Sequence, residues 1–361
     1  MRHRSIAVMV LTALLLIFSG CGSRAGSQGT AGGAGQVRGP SVEDFYRGKT
    51  ISVIVGLAPG GGYDTVARLV ARHIGQHIPG NPNVIVENME GAGSLIAANH
   101  VYSVAKPDGL TIGAINELQV INQLTGVEGV QFDARKYGWL GNVQQNSVVC
   151  TIRADSPYKV GRDLLRQDLP PLIIGATGPG ADTFDFPKAL IGALGANIRV
   201  VTGYQGTAPI RLAVESHEVD GLCWAFESVI ATAQSWLDTG FATAIIYQAA
   251  TPDSRVEQRF PGIQRAEDIA PDEQAKRLIR AATAPGAIAK PWMLPPGTPQ
   301  DRVQALQKAF ADTMNDPAFK ADAEQAKVDV NPNTAAETER IVQEILDLPP
   351  DLANRLAEIR K

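Results

Sequence analysis

Short apolar runs alternate along this chain with longer stretches whose apolar positions recur at helical spacing. Ile51, Val53, Ile54 and Val55 make a β-branched run of the kind that fills a strand buried on both faces. Pro59 and Gly60 to Gly62 end it. Asp64 or Thr65 is then placed to cap a helix with Val66, Leu69, Val70 and Ile74 on its inner face. The sequence strand, glycine turn, helix recurs. Residues 83–87 read as a strand, 88–94 as a glycine turn, 95–102 as a helix and 110–114 as a third strand. Residues 139–143 and 148–152 are extended, and a short helix from Ser156 turns Val160, Leu164 and Leu165 inward. A strand at 172–176 ends in a turn over 177–183, and one at 198–201 ends in a turn over 203–208; a helix follows each. Further strands fall at 219–224 and 243–247, with Glu227 and Ser228 starting a helix between them. Pro291, Pro295, Pro296 and Pro299 break the chain around Trp292, and only amphipathic helices follow. Strands alternating with helices predict a parallel α/β sheet, on which the strandless C-terminal part packs.

The N-terminus reads differently. Arg2, His3 and Arg4 precede an apolar segment over 6–18 that is short for a membrane span, and Ser19, Gly20 and Cys21 follow. This resembles a bacterial lipoprotein signal, with 1–20 removed and Cys21 acylated; an ordinary cleaved secretory signal is the alternative. Either way the protein is exported. Residues 22–40 are rich in Gly, Ser and Ala and read as a flexible tether, so 21–41 precedes the globular part.

Composition narrows the function. The 361 residues are 44% hydrophobic and carry a net charge of -4 with 6% aromatics, so no basic, base-stacking surface for nucleic acid is expected. The three cysteines are too widely spaced for a zinc or iron–sulfur site. His73 and His77 are i,i+4 on a predicted helix, a spacing that suits a metal or simply a solvated face. The glycine pairs at 91–93 and 178–180 do not complete a dinucleotide fingerprint, Glu43 replaces the first glycine of a P-loop before Gly48, Lys49 and Thr50, and no nucleophile elbow occurs. These features predict neither enzyme activity nor a cofactor.

The three turns at 58–64, 177–183 and 203–208 each offer free backbone N–H groups and the positive end of a helix, which suits an anion. Each also fits an ordinary strand–helix connection. The ordered set of residues 51–68, 86–94, 106–109, 177–180, 204–208 and 295–299 resembles the periplasmic solute receptors of tripartite tricarboxylate transporters, the Bug proteins. The resemblance implies an α/β, two-domain periplasmic-binding-protein fold of the type II, Venus flytrap kind, with hinged sheets. It implies one domain from 42–148 plus 250–361 and a second from 149–249. It also implies a monomeric receptor that takes a small organic acid in the interdomain cleft and delivers it to membrane permease subunits. The alternative is a lipoprotein sensor of the same fold, and a secreted hydrolase is a third class.

On that resemblance the ligand-binding residues are Ala58, Pro59, Gly60, Gly61, Tyr63 and Asp64 in the first turn, Thr177, Gly178, Gly180 and Thr183 in the second, and Tyr204, Gly206, Thr207 and Ala208 in the third. Opposed turns would grip both ends of a dicarboxylate. Two departures stand out. Gly56 and Leu57 replace the family's usual Pro and Phe, and Gln205 replaces a common Lys, removing a cation. Asp64 serves either as a helix cap or as a ligand contact, and Tyr204 as a core ring or as cleft lining. Glu227 would repel a carboxylate unless the ligand offers a hydroxyl or amine, so it is expected at the surface. Cys150 and Cys223 are expected as small buried core residues, with a disulfide as the alternative. The charged stretch 253–276 is expected to be an altered surface.

Overall fold

The computed structural model describes residues 41–57, 59–178, 181–204 and 206–360. The leader, most of the tether and Cys21 lie outside the described residues, as do Ala58, Gly180 and Gln205.

The folded part opens with α1 (Val42–Tyr46), whose N-terminus is capped by the Ser41 hydroxyl. Then come β1 (Thr50–Val55), α2 (Gly62–Ile74), β2 (Asn83–Asn88), α3 (Leu95–Ser103), β3 (Thr111–Ala114), α4 (Gln119–Leu124) and β4 (Gly138–Gln144). The chain next crosses to a second sheet through β5 (Val148–Arg153), β6 (Leu172–Gly175), α5 (Asp182–Leu194), β7 (Ile198–Val201) and α6 (Thr207–Glu215). It continues with β8 (Gly221–Ala225), α7 (Phe226–Thr232), α8 (Gln234–Asp238), β9 (Ala242–Gln248), α9 (Ser254–Arg259), β10 (Gln264–Arg265) and α10 (Glu273–Thr283). β11 (Ala289–Leu294) returns to the first sheet. The chain ends in α11 (Gln300–Asn315), α12 (Pro317–Gln325), α13 (Ala335–Leu346) and α14 (Pro350–Ile359).

The strand order is β2-β1-β3-β11-β4 in the first sheet and β10-β9-β5-β8-β6-β7 in the second. Two expectations are corrected here. The sheets are mixed rather than parallel, because β11 runs antiparallel between β3 and β4, and β5 antiparallel between β8 and β9. The stretch around Trp292 is also a central strand, not a broken connection. Pro291 lies opposite Asn142 and the register slips at Trp292/Met293, an irregularity beside which a residue without an N–H is tolerated. The helix expected from Ser156 is a single 3-10 turn at Gly161–Leu165; Leu164 is buried but Val160 is exposed.

Both sheets are covered on two faces. Ile51, Val53 and Val55 pack with Leu69 of α2 and Phe310 of α11, while Ile54 faces the other way among Leu95, Val101, Trp139 and Val342. In the second sheet Ile174 packs with Leu190 and Ile279, and Val149 and Leu222 pack with Ile210 and Trp236 on the opposite face. β10 pairs with β9 and α10 packs on α5, so residues 264–283 join the second sheet. Each fully buried Leu, Ile or Phe contributes about 1.5–3 kcal/mol. Exposed ion pairs such as Arg47–Glu43 contribute little, so the layers hold the fold.

Cys150 and Cys223 are directly opposite in the β5–β8 register and form a disulfide, correcting the expectation of two separate core thiols. His73 Nε2 lies 2.9 Å from Asp322 and His77 Nε2 lies 3.0 Å from Asp316, so each imidazole has its own carboxylate and ties α2 and the turn after it to α12. Among the described residues no His, Cys, Asp and Glu group is gathered for a metal ion, and no helix is long and apolar enough to cross a membrane. In the charged stretch, Asp268, Asp272 and Glu273 are exposed, whereas Glu267 is buried and held by Arg265 and Arg280.

Candidate functional site

In open α/β sheets the carboxyl ends of the strands present helix N-termini and loops to a ligand. In the first sheet this edge carries the loop after β1, residues 115–118 after β3 and the start of β11. Lys290 reaches the same edge because Trp292 pairs antiparallel with Ala114. In the second sheet the edge carries the loops after β6 and β7 and the first turn of α7. The two edges meet. Asp182, at the start of α5, lies within electrostatic reach of Tyr63, Glu117 and Lys290 from the first sheet and of Glu227 from the second.

The first turn is closed by its own helix. Gly61, not Asp64 or Thr65, is the N-cap of α2, and it supplies no side-chain cap. Asp64 instead sits inside the first helical turn, almost fully buried. It accepts the Gly60 amide at 2.8 Å, Arg68 Nε at 3.0 Å and the Asn88 amide at 3.0 Å. Arg68 foremost, with the Gly60 and Asn88 donors, lowers its pKa to about 2. Asn88 also donates to the Leu57 carbonyl at 2.8 Å, fastening the end of β2 to the turn. Gly60 has φ +77, which a glycine adopts without a Cβ penalty. Pro59, Gly60 and Gly61 are exposed, and Tyr63 is half-buried with its hydroxyl donating to Glu117. Gly56, at the family's proline position, has a structural reason: an ideal Cβ there would stand 2.3 Å from Ser94 Oγ.

In the second turn the Thr177 amide donates to Thr183 Oγ1 at 3.2 Å, and the two hydroxyls are 2.9 Å apart. Thr183 is buried, and a Cβ on Gly178 would meet open space. In the third, Gly206 is the extended N-cap of α6, Thr207 its first residue and Ala208 exposed. Gly203 donates to the Thr177 carbonyl at 3.3 Å, which brings these two turns together. Tyr204 goes elsewhere. Its ring lies on the core of the second sheet and its hydroxyl donates to Glu218 at 2.6 Å; burial and that carboxylate push its pKa up to about 12. None of α2, α5 and α6 has a side-chain cap, a feature shared with α3, α4, α7, α8, α11 and α14, whereas Asp253, Asp272, Asp316 and Thr334 cap α9, α10, α12 and α13.

Between the turns lies a charged group that the sequence reading missed. Glu117 is buried, accepts from Tyr63 and from the Lys290 amide, and has its pKa raised by burial. Burial, then Glu117, Asp185 and Glu227, push Asp182 up to about 7. Glu227 is not at the surface as expected. It lies in the first turn of α7, which starts at Phe226, and is half-buried, with Oε2 buried and without a hydrogen-bond partner among the described residues. Lys290 Nζ donates to Gln144 and lies 5.6 Å from the Tyr63 ring centre. The available signal was position: Glu117 and Glu227 both follow a strand end, but Lys290 was hidden in a stretch not recognised as a strand.

Two mixed α/β sheets with loops meeting at their strand ends are the architecture of the periplasmic-binding-protein fold. The chain belongs to the tripartite tricarboxylate transporter receptor family, whose model matches residues 66–353. That family is a class of solute-binding receptors, not of enzymes. A TctC solute binding protein from Polaromonas, without ligand, shares the fold at a TM-score of 0.66 with 18% identity, over 86% of this chain and 99% of that one. MatC from Rhodopseudomonas palustris, with bound malate, gives 0.59 and 22% over 84% and 99%, and another R. palustris protein, with adipate, gives 0.59 and 18% over 85% and 97%. A curated protein of Agrobacterium vitis, described as a UPF0065 protein in the TAR-I ttuE-ttuC' intergenic region, is 27% identical over 186 residues, 50% of this chain and 52% of that one. The chain thus spans about half the length of the curated relative it matches.

Proposed function

We propose that this chain is an extracytoplasmic receptor that captures a small carboxylate between the two sheet edges and delivers it to the permease of a tripartite tricarboxylate transporter. The observation that carries the reading is the set of three helices, α2, α5 and α6, that begin at these edges with no side-chain cap. The Phe184 and Asp185 amides already bond the Ala181 carbonyl and Pro209 has no N–H, so the leading N–H groups of each helix are the ones offered to an anion; such charge-assisted bonds are short and comparatively strong. The malate and adipate bound by two proteins of the same fold support a carboxylate as the anion.

Pro59, Gly60, Gly61, Thr177, Gly178, Thr183, Gly206, Thr207 and Ala208 are the proposed contacts, with Tyr63 as lining. Asp64 serves as a brace of the first turn. The proposed lobes are 42–148 with 250–361, and 149–249, residues 264–283 packing on the second. Closure would bend the crossings near 145–147 and 249–253. Export through the 1–20 leader, a lipid on Cys21, a tether over 21–41 and a monomeric state complete the proposal.

Isothermal titration of residues 42–361 against di- and tricarboxylates, monocarboxylates and amino acids tests the reading. Saturable binding of at least one small acid is expected. A folded protein that binds none sinks it.

A further inference from the structure

We propose that the cleft selects an organic acid that also carries a protonated amine, over the plain acid of the same length. The inference rests on the carboxylate-receptor reading and adds the second half of the ligand.

The charges at the meeting edges are unbalanced. Glu117 from the first sheet and Asp182 and Glu227 from the second bring three carboxylates, against one ammonium on Lys290. The other charged groups nearby are already engaged. Asp185 pairs with Arg360 at 3.3 Å, Asp64 with Arg68 at 2.9 Å, and Arg255, the remaining cation near Glu227, is held by Asp253 and Asp329. Above the pKa of Asp182, a plain dicarboxylate entering this cluster would add like charge to a carboxylate excess. A ligand with an ammonium would offset it.

Glu227 makes the case independently of the charge count. Its Oε2 is buried and has no donor among the described residues. A buried acceptor left unpaired is costly, and an ammonium supplies three donors. Lys290 provides the opposite pole. It holds φ +53 at the start of a strand, a conformation a side-chain-bearing residue adopts only where its surroundings demand it, and it stands over the Tyr63 ring beside Glu117. Cation and carboxylates on facing edges, with free helix N-termini alongside, are complementary to a zwitterion: carboxylate to the amides and Lys290, amine to Glu227 and its neighbours.

The test is titration of the chain with matched pairs differing only in the amine: succinate and aspartate, glutarate and glutamate, adipate and 2-aminoadipate, at pH 8 and pH 6. The amine-bearing member of at least one pair should bind tenfold or more tightly than its partner. Glu227→Gln should reduce that preference several-fold, by weakening the amine-bearing acid and strengthening the plain one; Glu117→Gln is the second variant should the first not fold. Plain acids that bind as well as their partners in every pair overturn the inference and leave the receptor reading standing. So do plain acids that bind better at pH 6 than their partners, because the cluster would then be donating protons to carboxylates. Failure of every compound to bind folded protein overturns both.

Discussion

Asp64 accepts the backbone amide of Gly60 at 2.8 Å, so the loop leaving β1 is held shut by the first turn of the helix it feeds. The same carboxylate holds Arg68 and Asn88. Replacing Asp64 by Ala frees all of them, and should cost roughly 1–3 kcal/mol of stability. The sign of the pH effect follows from a folded pKa of about 2, below the usual carboxylate value. The contribution is complete above the unfolded-state pKa of about 4 and is lost as pH falls toward 2. Urea unfolding of wild type and variant should therefore differ by a constant amount from pH 7 to 5 and converge below that. A difference that persists unchanged at pH 2 would remove this ionised brace.

Gly56→Ala would set a Cβ 2.3 Å from Ser94 Oγ and 2.9 Å from Ser94 Cα. The second contact is with backbone, which cannot rotate away. A loss of about 1–3 kcal/mol is expected by overpacking. Ser94 itself holds φ +86, so Ser94→Gly should relieve both the backbone strain and part of the clash. Thermal unfolding of the single and double variants checks this: the double variant should recover part of the Gly56→Ala loss, and an absence of recovery would refute the contact.

Thr183→Val keeps the shape of a buried side chain but removes the acceptor that orders Thr177. Carboxylate binding should weaken by about 1–2 kcal/mol, and Thr207→Val should act similarly through a lost contact. Titration calorimetry with the tightest acid reads both. Unchanged affinity for either variant strikes that threonine from the site.

The Cys150–Cys223 bridge spans 73 residues of sequence and clips β5 to β8 in the middle of the second sheet. Replacing both cysteines by Ala should cost about 2–4 kcal/mol, chiefly by loosening the unfolded chain. Urea midpoints with and without reductant give the comparison. Identical curves for the wild type in both conditions would mean that the bridge contributes no stability.

Much of the fold was legible because its signals are local. The run of Ile51, Val53, Ile54 and Val55, the glycines after it and the apolar spacing of Val66, Leu69, Val70 and Ile74 fix a strand, a turn and a helix without reference to anything distant. The family pattern was legible for the same reason, being a series of turns in order. The start of α2 was misjudged because two residues could cap it and neither does; Gly61 begins it, and Asp64 reaches back from inside.

What the sequence determined by itself, then, is the alternation of strands and helices and the three glycine turns, set by hydrophobic period and by glycine's backbone freedom. Tertiary structure alone decided which strands become neighbours. β11 enters the first sheet although Pro291 argues against a strand, because pairing with β3 and β4 and burial of Trp292 outweigh the missing N–H. That pairing carries Lys290 to the same edge as Glu117, and the meeting of the two sheets brings Asp182 and Glu227 to them. Charges far apart in sequence interact only once packing has removed the water between them, so the charge balance of this site had no local signature to read.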